Sequence, residues 1–225
     1  MTEPSSVDRA EAALRDMAIR FAFKPGERIN ESALTRSLNI SRTPLREALN
    51  RLVAEGFLTL RAGQGFFCRP LDPAQIQDLY QLRCALEVES LRLGIARADA
   101  RDIDAFASAF DSAEAAYAAA SDPAELVRMD EAFHLSLAAL SGNGELRRML
   151  INVNERIRFV RMVNLRELRS GAGAEDLGAH RRIVAAVLAR DGAAAETALR
   201  AHIERRSEQT RALVRLAFSD IYMPR

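Results

Sequence analysis

The whole chain holds three histidines, His134, His180 and His202, and each stands beside small or aliphatic residues at helical spacing. The first lies in MDEAFHLSLAALSG, four positions after Asp130, so an aspartate and an imidazole project from one face of a helix. His180 precedes Ile183, Val184 and Val187, and His202 follows Ala195, Ala198 and Leu199. An unpaired carboxylate on such a stripe is expensive to bury, and a cation offsets that desolvation. Three imidazole nitrogens and one carboxylate oxygen suit a divalent metal, Zn²⁺ foremost, with Ni²⁺, Mn²⁺ or Fe²⁺ as alternatives. The competing account is that a lone histidine beside an apolar stripe is ordinarily a hydrogen-bonded core residue. Spacing alone does not bring three helices to one point.

A metal with an open position can also activate water, which raises a metalloenzyme as an alternative. Glu131 is the obvious base, yet it points about 100° away from Asp130 around the helix. Ser136 and Ser141 lie in no nucleophile motif, and no Gly-rich phosphate loop is visible. The expectation is a binding protein, not an enzyme.

A second constellation is basic. Ser41 can cap a helix from Arg42 to about Glu55, ended by Gly56, in which Leu45, Ala48, Leu49, Leu52 and Val53 form one apolar stripe. Thr43, Arg46, Glu47, Asn50 and Arg51 make the opposite side. Free N–H groups at the helix start suit a phosphate, and the forked donors of Arg42 and Arg46 suit a phosphate or a guanine edge. The alternative is an ordinary solvated helix face.

The elements that must position these groups are mostly helical. SSVDRAEAALRDMAIRF opens with a capping box, Ser5 to Asp8, and carries Val7, Ala10, Leu14, Met17, Ala18 and Phe21 on one face. FKPGERI breaks it at Pro25 and Gly26, and Asn30 can cap a short helix to about Leu38. Phe57 to Leu60 and Phe66 to Arg69 flank a turn with Gly63 and Gly65, which reads as a hairpin. After the RPLDP linker, helices are expected at roughly 73 to 97, 99 to 120, 123 to 140, 143 to 168, 174 to 190 and 192 to 217, with breaks at Asp122-Pro123, SGNG, SGAG and Asp191-Gly192. The fold class is therefore mainly α: a winged helix-turn-helix in residues 1–71 and an all-α antiparallel bundle in 72–225.

Composition agrees with that division. With 48% hydrophobic and 28% charged residues, the chain reads as globular and not as disordered. Residues 1–71 hold 11 Lys and Arg against 8 Asp and Glu, while the remainder holds 21 against 23, so the basic surplus sits in the first third and suits an anionic partner there. No apolar run approaches the roughly 18 residues of a membrane span, and the start lacks a signal-peptide pattern, so a cytoplasmic protein with no membrane partner is expected. Cys68 and Cys84 lack Cys-x-x-Cys spacing and are expected as reduced thiols.

LNISRTPLREALNRLVAEGFL followed by GQGFF closely resembles the DNA-binding segment of the GntR family of bacterial transcription regulators, over roughly Phe23 to Arg69. The resemblance implies DNA contacts from Ser41, Arg42, Thr43 and Arg46, with Gln64 and Gly65 at the wing tip. Ser32 stands where some members carry a base-reading arginine. Over about 72–217, LYQLRCALEVESLRLGIAR, DEAFHLSLAALSGN, AHRRIVAAVLARD and AHI are similar to the FCD ligand-binding domain of the FadR branch. That resemblance implies a metal on Asp130, His134, His180 and His202, a small organic acid at the metal, and Arg83 facing the same pocket. An intrahelical pair with Glu87 is the alternative for Arg83. It also implies a homodimer on a near-palindromic double-stranded operator. The expected function is a ligand-responsive regulator, a repressor, with a metal-sensing regulator as the alternative.

Overall fold

The computed structural model describes residues 5–170, 177–208 and 210–222. The chain divides into two compact units, one built from the residues up to Asp72 together with the end of the last helix from Phe218, the other spanning Pro73–Ala217. The break at Asp72 and Pro73 falls in the proline-bounded linker. Residues Phe218–Tyr222, which the sequence reading places in the helical domain, group with the first unit.

In the first unit, α1 (Ser6–Ile19) begins with the reciprocal cap: Ser5 Oγ accepts from the Asp8 N–H and the Asp8 carboxylate accepts from the Ser5 N–H. The helix ends before Phe21, which takes a left-handed backbone conformation and is buried beneath the Arg69 guanidinium, 5.0 Å from its ring centre. Helix α2 (Glu31–Ser37) is capped by Asn30. Helix α3 (Arg42–Ala54) buries Leu45, Ala48, Leu49 and Leu52 and packs on α1. Each of those leucines contributes roughly 1.5–3 kcal/mol by leaving water. Arg51 pairs with Asp8 and Glu11 of α1 as well as with Glu47, so it staples two helices together.

The hairpin is β1 (Leu58–Arg61) and β2 (Gly65–Cys68), antiparallel, with Leu58 opposite Cys68 and Arg61 opposite Gly65. Each strand is displaced by one residue from its expected span. Residues 26–29, expected only as a break, pair with the far side of β2: the Ile29 N–H donates to the Phe66 carbonyl and the Cys68 N–H to the Glu27 carbonyl. That pairing seats Arg28 at the base of the wing.

The second unit contains α4 (Pro73–Arg97), α5 (Ala100–Ala119), α6 (Pro123–Ala139), α7 (Gly144–Ser170), α8 (Gly178–Leu188), α9 (Gly192–Glu208) and most of α10 (Thr210–Tyr222). Aspartates begin α5 and α6: Asp99 accepts from the Asp102 N–H, and Asp122, ahead of Pro123, from the Ala124 N–H. Helix α4 is the hub, packing on α6, α7 and α9, while α5 packs on α6 and α8. The stretch expected as one helix from 192 to 217 corresponds to α9 and α10, with Gln209 between them outside the described residues. The expected helix start near 174, and most of the SGAG break, also lie outside them.

Candidate functional site

Helices α6, α8 and α9 bring Asp130, His134, His180 and His202 together in the interior of the second unit. One donor atom from each lies within 4.8 Å of all the others, and all four residues are buried. His134 Nε2 is 3.2 Å from His202 Nε2, and His180 Nε2 is 3.2 Å from Asp130 Oδ1. On the other side of its ring, His134 Nδ1 meets Glu87 Oε2 of α4 at 2.5 Å. An ionised carboxylate only accepts, so this contact places the proton on Nδ1 and leaves the Nε2 lone pair facing the cluster.

Electrostatics reinforce the geometry. Burial, reinforced by repulsion from the neighbouring imidazoles, holds His202 well below the ordinary histidine value, and burial also lowers His134. For Asp130 burial acts upward, but Arg161 and the imidazoles outweigh it and keep the carboxyl well below its usual range. Burial of Glu87 is likewise overcome by Arg83 and His134, which bring it down to about 2. Neutral imidazoles and an ionised carboxylate are the forms that bind metals. Both ring nitrogens of His180 are buried without hydrogen-bond geometry to any partner, an arrangement that a metal would satisfy. Donor separations in the set extend to 4.8 Å, more than twice a metal–nitrogen bond of about 2.0–2.1 Å, so a metal would draw the side chains inward.

Arg83 is buried in α4, where its Nε donates to Glu87 Oε1 at 2.6 Å. It also lines a small polar cavity with Tyr80, Asp130, Arg161, Asn164 and His202, so it pairs with Glu87 and faces the site at once. Its Nη2 is a buried donor with no partner. Arg161 of α7 binds Asp130, and Arg158 grips Glu131 through both carboxylate oxygens. Glu131 is thereby turned toward α7, away from the imidazoles.

Glu87, Arg158, Arg161 and Asn164 were not singled out as site residues by sequence. Glu87 was visible only as the partner of Arg83. A signal for α7 did exist, because Asn154, Arg161 and Asn164 interrupt the buried run of Leu150, Val153, Ile157 and Val160 at helical spacing.

In the first unit, Ser41, Arg42, Thr43 and Arg46 are exposed on the first turns of α3. Ser41 occupies the cap position, but its side chain makes no capping bond there. Arg46 Nε is 3.7 Å from Glu31 of α2, and its guanidinium lies over the Phe66 ring at 5.8 Å, which aims it between α2 and the wing. Arg28, Ser32, Arg42 and Arg46 line one polar cleft. Arg28 was missed because its segment read as a break. Gln64 is exposed in the hairpin turn, and Gly65, at φ 95°, sits in the left-handed region that favours glycine.

No helix of the described residues is long and apolar enough to cross a membrane. The family model for bacterial regulatory proteins of the gntR family matches residues 6–68, and that for the FCD domain matches residues 78–205. The Nta operon transcriptional regulator of Aminobacter aminovorans is 38% identical over 92% of this chain and 95% of its own. The HTH-type transcriptional repressor GlaR of Escherichia coli is 32% identical over 84% of this chain and 89% of its own. A crystal structure of a GntR regulator from Rhodococcus sp. RHA1 superposes with a TM-score of 0.69 at 25% identity, covering 93% of this chain and 99% of that one. The exposed helix start beside a hairpin wing in the first unit, the helical second unit and these matches over nearly the full chain establish a DNA-binding transcriptional regulator of the GntR family that carries an FCD domain.

Proposed function

We propose that this regulator binds its operator under the control of a small organic acid held at a divalent metal, with Asp130, His134, His180 and His202 as the metal ligands. The observation that carries the reading is the convergence of those four buried side chains, with His180 Nε2 3.2 Å from Asp130 Oδ1 yet outside hydrogen-bond geometry. The metal, Zn²⁺ foremost, would supply a Lewis-acid anchor for a carboxylate. Glu87 holds the His134 ring in the tautomer that presents Nε2. Formal charges support an anionic effector: Glu87, Asp130 and Glu131 balance Arg83, Arg158 and Arg161, so a dication would leave a positive surplus in a buried cluster. The unpartnered Arg83 Nη2 is a ready donor to such an acid and favours a co-ligand role for the metal over a metal-only signal.

At the other end of the chain, Ser41, Arg42, Thr43 and Arg46 would meet the major groove, with Gln64 and Gly65 at the backbone or minor groove. We read the functional species as a homodimer on a near-palindromic site. The likeness to GlaR, described as a repressor, supports repression as the sign.

Elemental analysis of protein purified without a nickel column tests the reading. About one equivalent of a divalent metal per chain is expected, lost in both His134→Ala and His180→Ala, together with thermal stabilisation by organic acids only in the metal-loaded protein. Absence of metal from wild type after reloading with Zn²⁺ would overturn it.

A further inference from the structure

Two spaces adjoin the candidate metal ligands, and they differ in kind. The polar one, beside Arg83 and Arg161, has a volume of about 10 Å³, room for little more than one water. The other lies between α5, α6 and the start of α8, has a volume of about 280 Å³, and ends on Asp130 and His180. Roughly 150 Å³ is enough to hold benzene in an apolar protein cavity. The larger space therefore has room for a compact organic group, and the smaller does not.

The larger cavity is apolar almost throughout. Phe110, Tyr117, Met129 and Phe133 form its walls, and Ala109 and Ala113, one turn apart on α5, leave the space that larger side chains would fill. Phe133 stands edge-on to the His180 ring with centroids 4.5 Å apart, so the aromatic wall runs up to a candidate ligand. Glu114 and Ser136, two further polar side chains of the lining, are already engaged. Glu114 accepts from Arg181 Nε at 2.6 Å, and Ser136 Oγ donates to the Phe133 carbonyl at 2.7 Å.

From this placement we infer that the cavity seats the apolar part of the effector, so the acid sensed is a monocarboxylate with a compact apolar tail of about the size of a benzene ring. Its carboxylate lies at the Asp130 and His180 end, and its tail lies among Phe110, Phe133 and Tyr117. A di- or tricarboxylic acid is disfavoured because its further charges would be buried against those walls without partners. This inference rests on the proposed metal-dependent acid site and adds the class of acid.

The test uses full-length Zn²⁺-loaded protein and isothermal titration with acetate, phenylacetate, citrate and benzyl alcohol, alongside Zn²⁺ content and light scattering for each variant. Phenylacetate is expected to bind at least about 10-fold more tightly than acetate, since burying a ring adds to carboxylate binding. Benzyl alcohol and citrate are expected to bind more weakly than phenylacetate. Ala113→Leu and Ala109→Leu, which fill the cavity, are expected to abolish the phenylacetate advantage while keeping Zn²⁺, acetate binding and the oligomeric state. Equal affinity for acetate and phenylacetate, tightest binding by citrate, or a phenylacetate advantage that survives both substitutions would overturn the inference. So would a change of oligomeric state in these variants with phenylacetate affinity unaltered, which would assign the cavity to a subunit contact. Failure of wild type to bind Zn²⁺, or of every acid to bind, acetate included, would instead refute the underlying metal and acid site and the inference with it.

Discussion

His134 is held from both sides, by the Glu87 carboxylate at Nδ1 and by His202 at Nε2, in surroundings that disfavour its protonated form. This has a measurable consequence for the metal-free protein. The folded-state values of His134 and His202 lie below the ordinary 6.5, so on acidification the unfolded chain takes up protons first and stability falls as pH drops below about 6.5. Glu87, at about 2 when folded against an ordinary 4.5, acts in the same direction lower down: its contribution, on the order of 3 kcal/mol, is complete above 4.5 and is lost as pH falls toward 2. Urea unfolding in the presence of chelator should give a clearly lower midpoint at pH 5.5 than at pH 7.5, and equal midpoints would contradict the buried neutral imidazoles. The four converging residues were legible in the sequence as candidates, since few side-chain types bind metals and Asp130 and His134 share one helical face, whereas their meeting across three helices followed only from the family resemblance. Their neighbours were not, because Glu87, Arg158 and Arg161 look like ordinary surface charges until tertiary packing buries them.

Between elements, the approach of α4 and α6 determines whether Glu87 reaches His134. Gly94, inside α4, lies where an added Cβ would come within 2.9 Å of Leu140 Cβ just past the end of α6, so the two helices touch through a missing side chain. Gly94→Ala gains roughly 1 kcal/mol of helix propensity but forces the helices apart, with an overpacking cost of about 1–3 kcal/mol. A net loss of stability is expected in thermal or urea unfolding, together with weaker Zn²⁺ binding. A variant more stable than wild type with Zn²⁺ affinity intact would show that this contact does not position the site. Helices α1 and α2 could be read from sequence because their starts carry explicit caps at Ser5 and Asn30, and α6 because Asp122-Pro123 marks its start. The pairing of residues 26–29 with β2 escaped because Pro25 and Gly26 mark a turn locally, whereas the strand beyond them exists only through a partner about 40 residues away in sequence. The hairpin shifted by one residue for a related reason: register depends on Gly63 and Gly65 in left-handed conformations, which no propensity scale positions to a single residue.

For the whole molecule, a DNA-reading unit is joined to a unit in which Asp130, His134, His180 and His202 converge, and the proposed control by an acid requires the two to be thermodynamically linked. An acid that binds two arrangements of the molecule equally tightly shifts nothing; a useful switch needs a preference of a few kcal/mol. The division into two units was readable from RPLDP and from the change in patterning on either side of it. How strongly binding in one unit affects the other depends on differences between states, which no residue pattern encodes. The most direct measurement is fluorescence anisotropy at fixed salt, using a duplex selected by this protein from a random pool and the acid that most stabilises the metal-loaded form. For Zn²⁺-loaded wild type, adding the acid should change operator affinity by at least about 10-fold, whereas His180→Ala should not respond, and Arg46→Ala should bind about 1–3 kcal/mol more weakly with or without acid. Operator affinity that stays the same in wild type with and without a demonstrably bound acid would contradict the account.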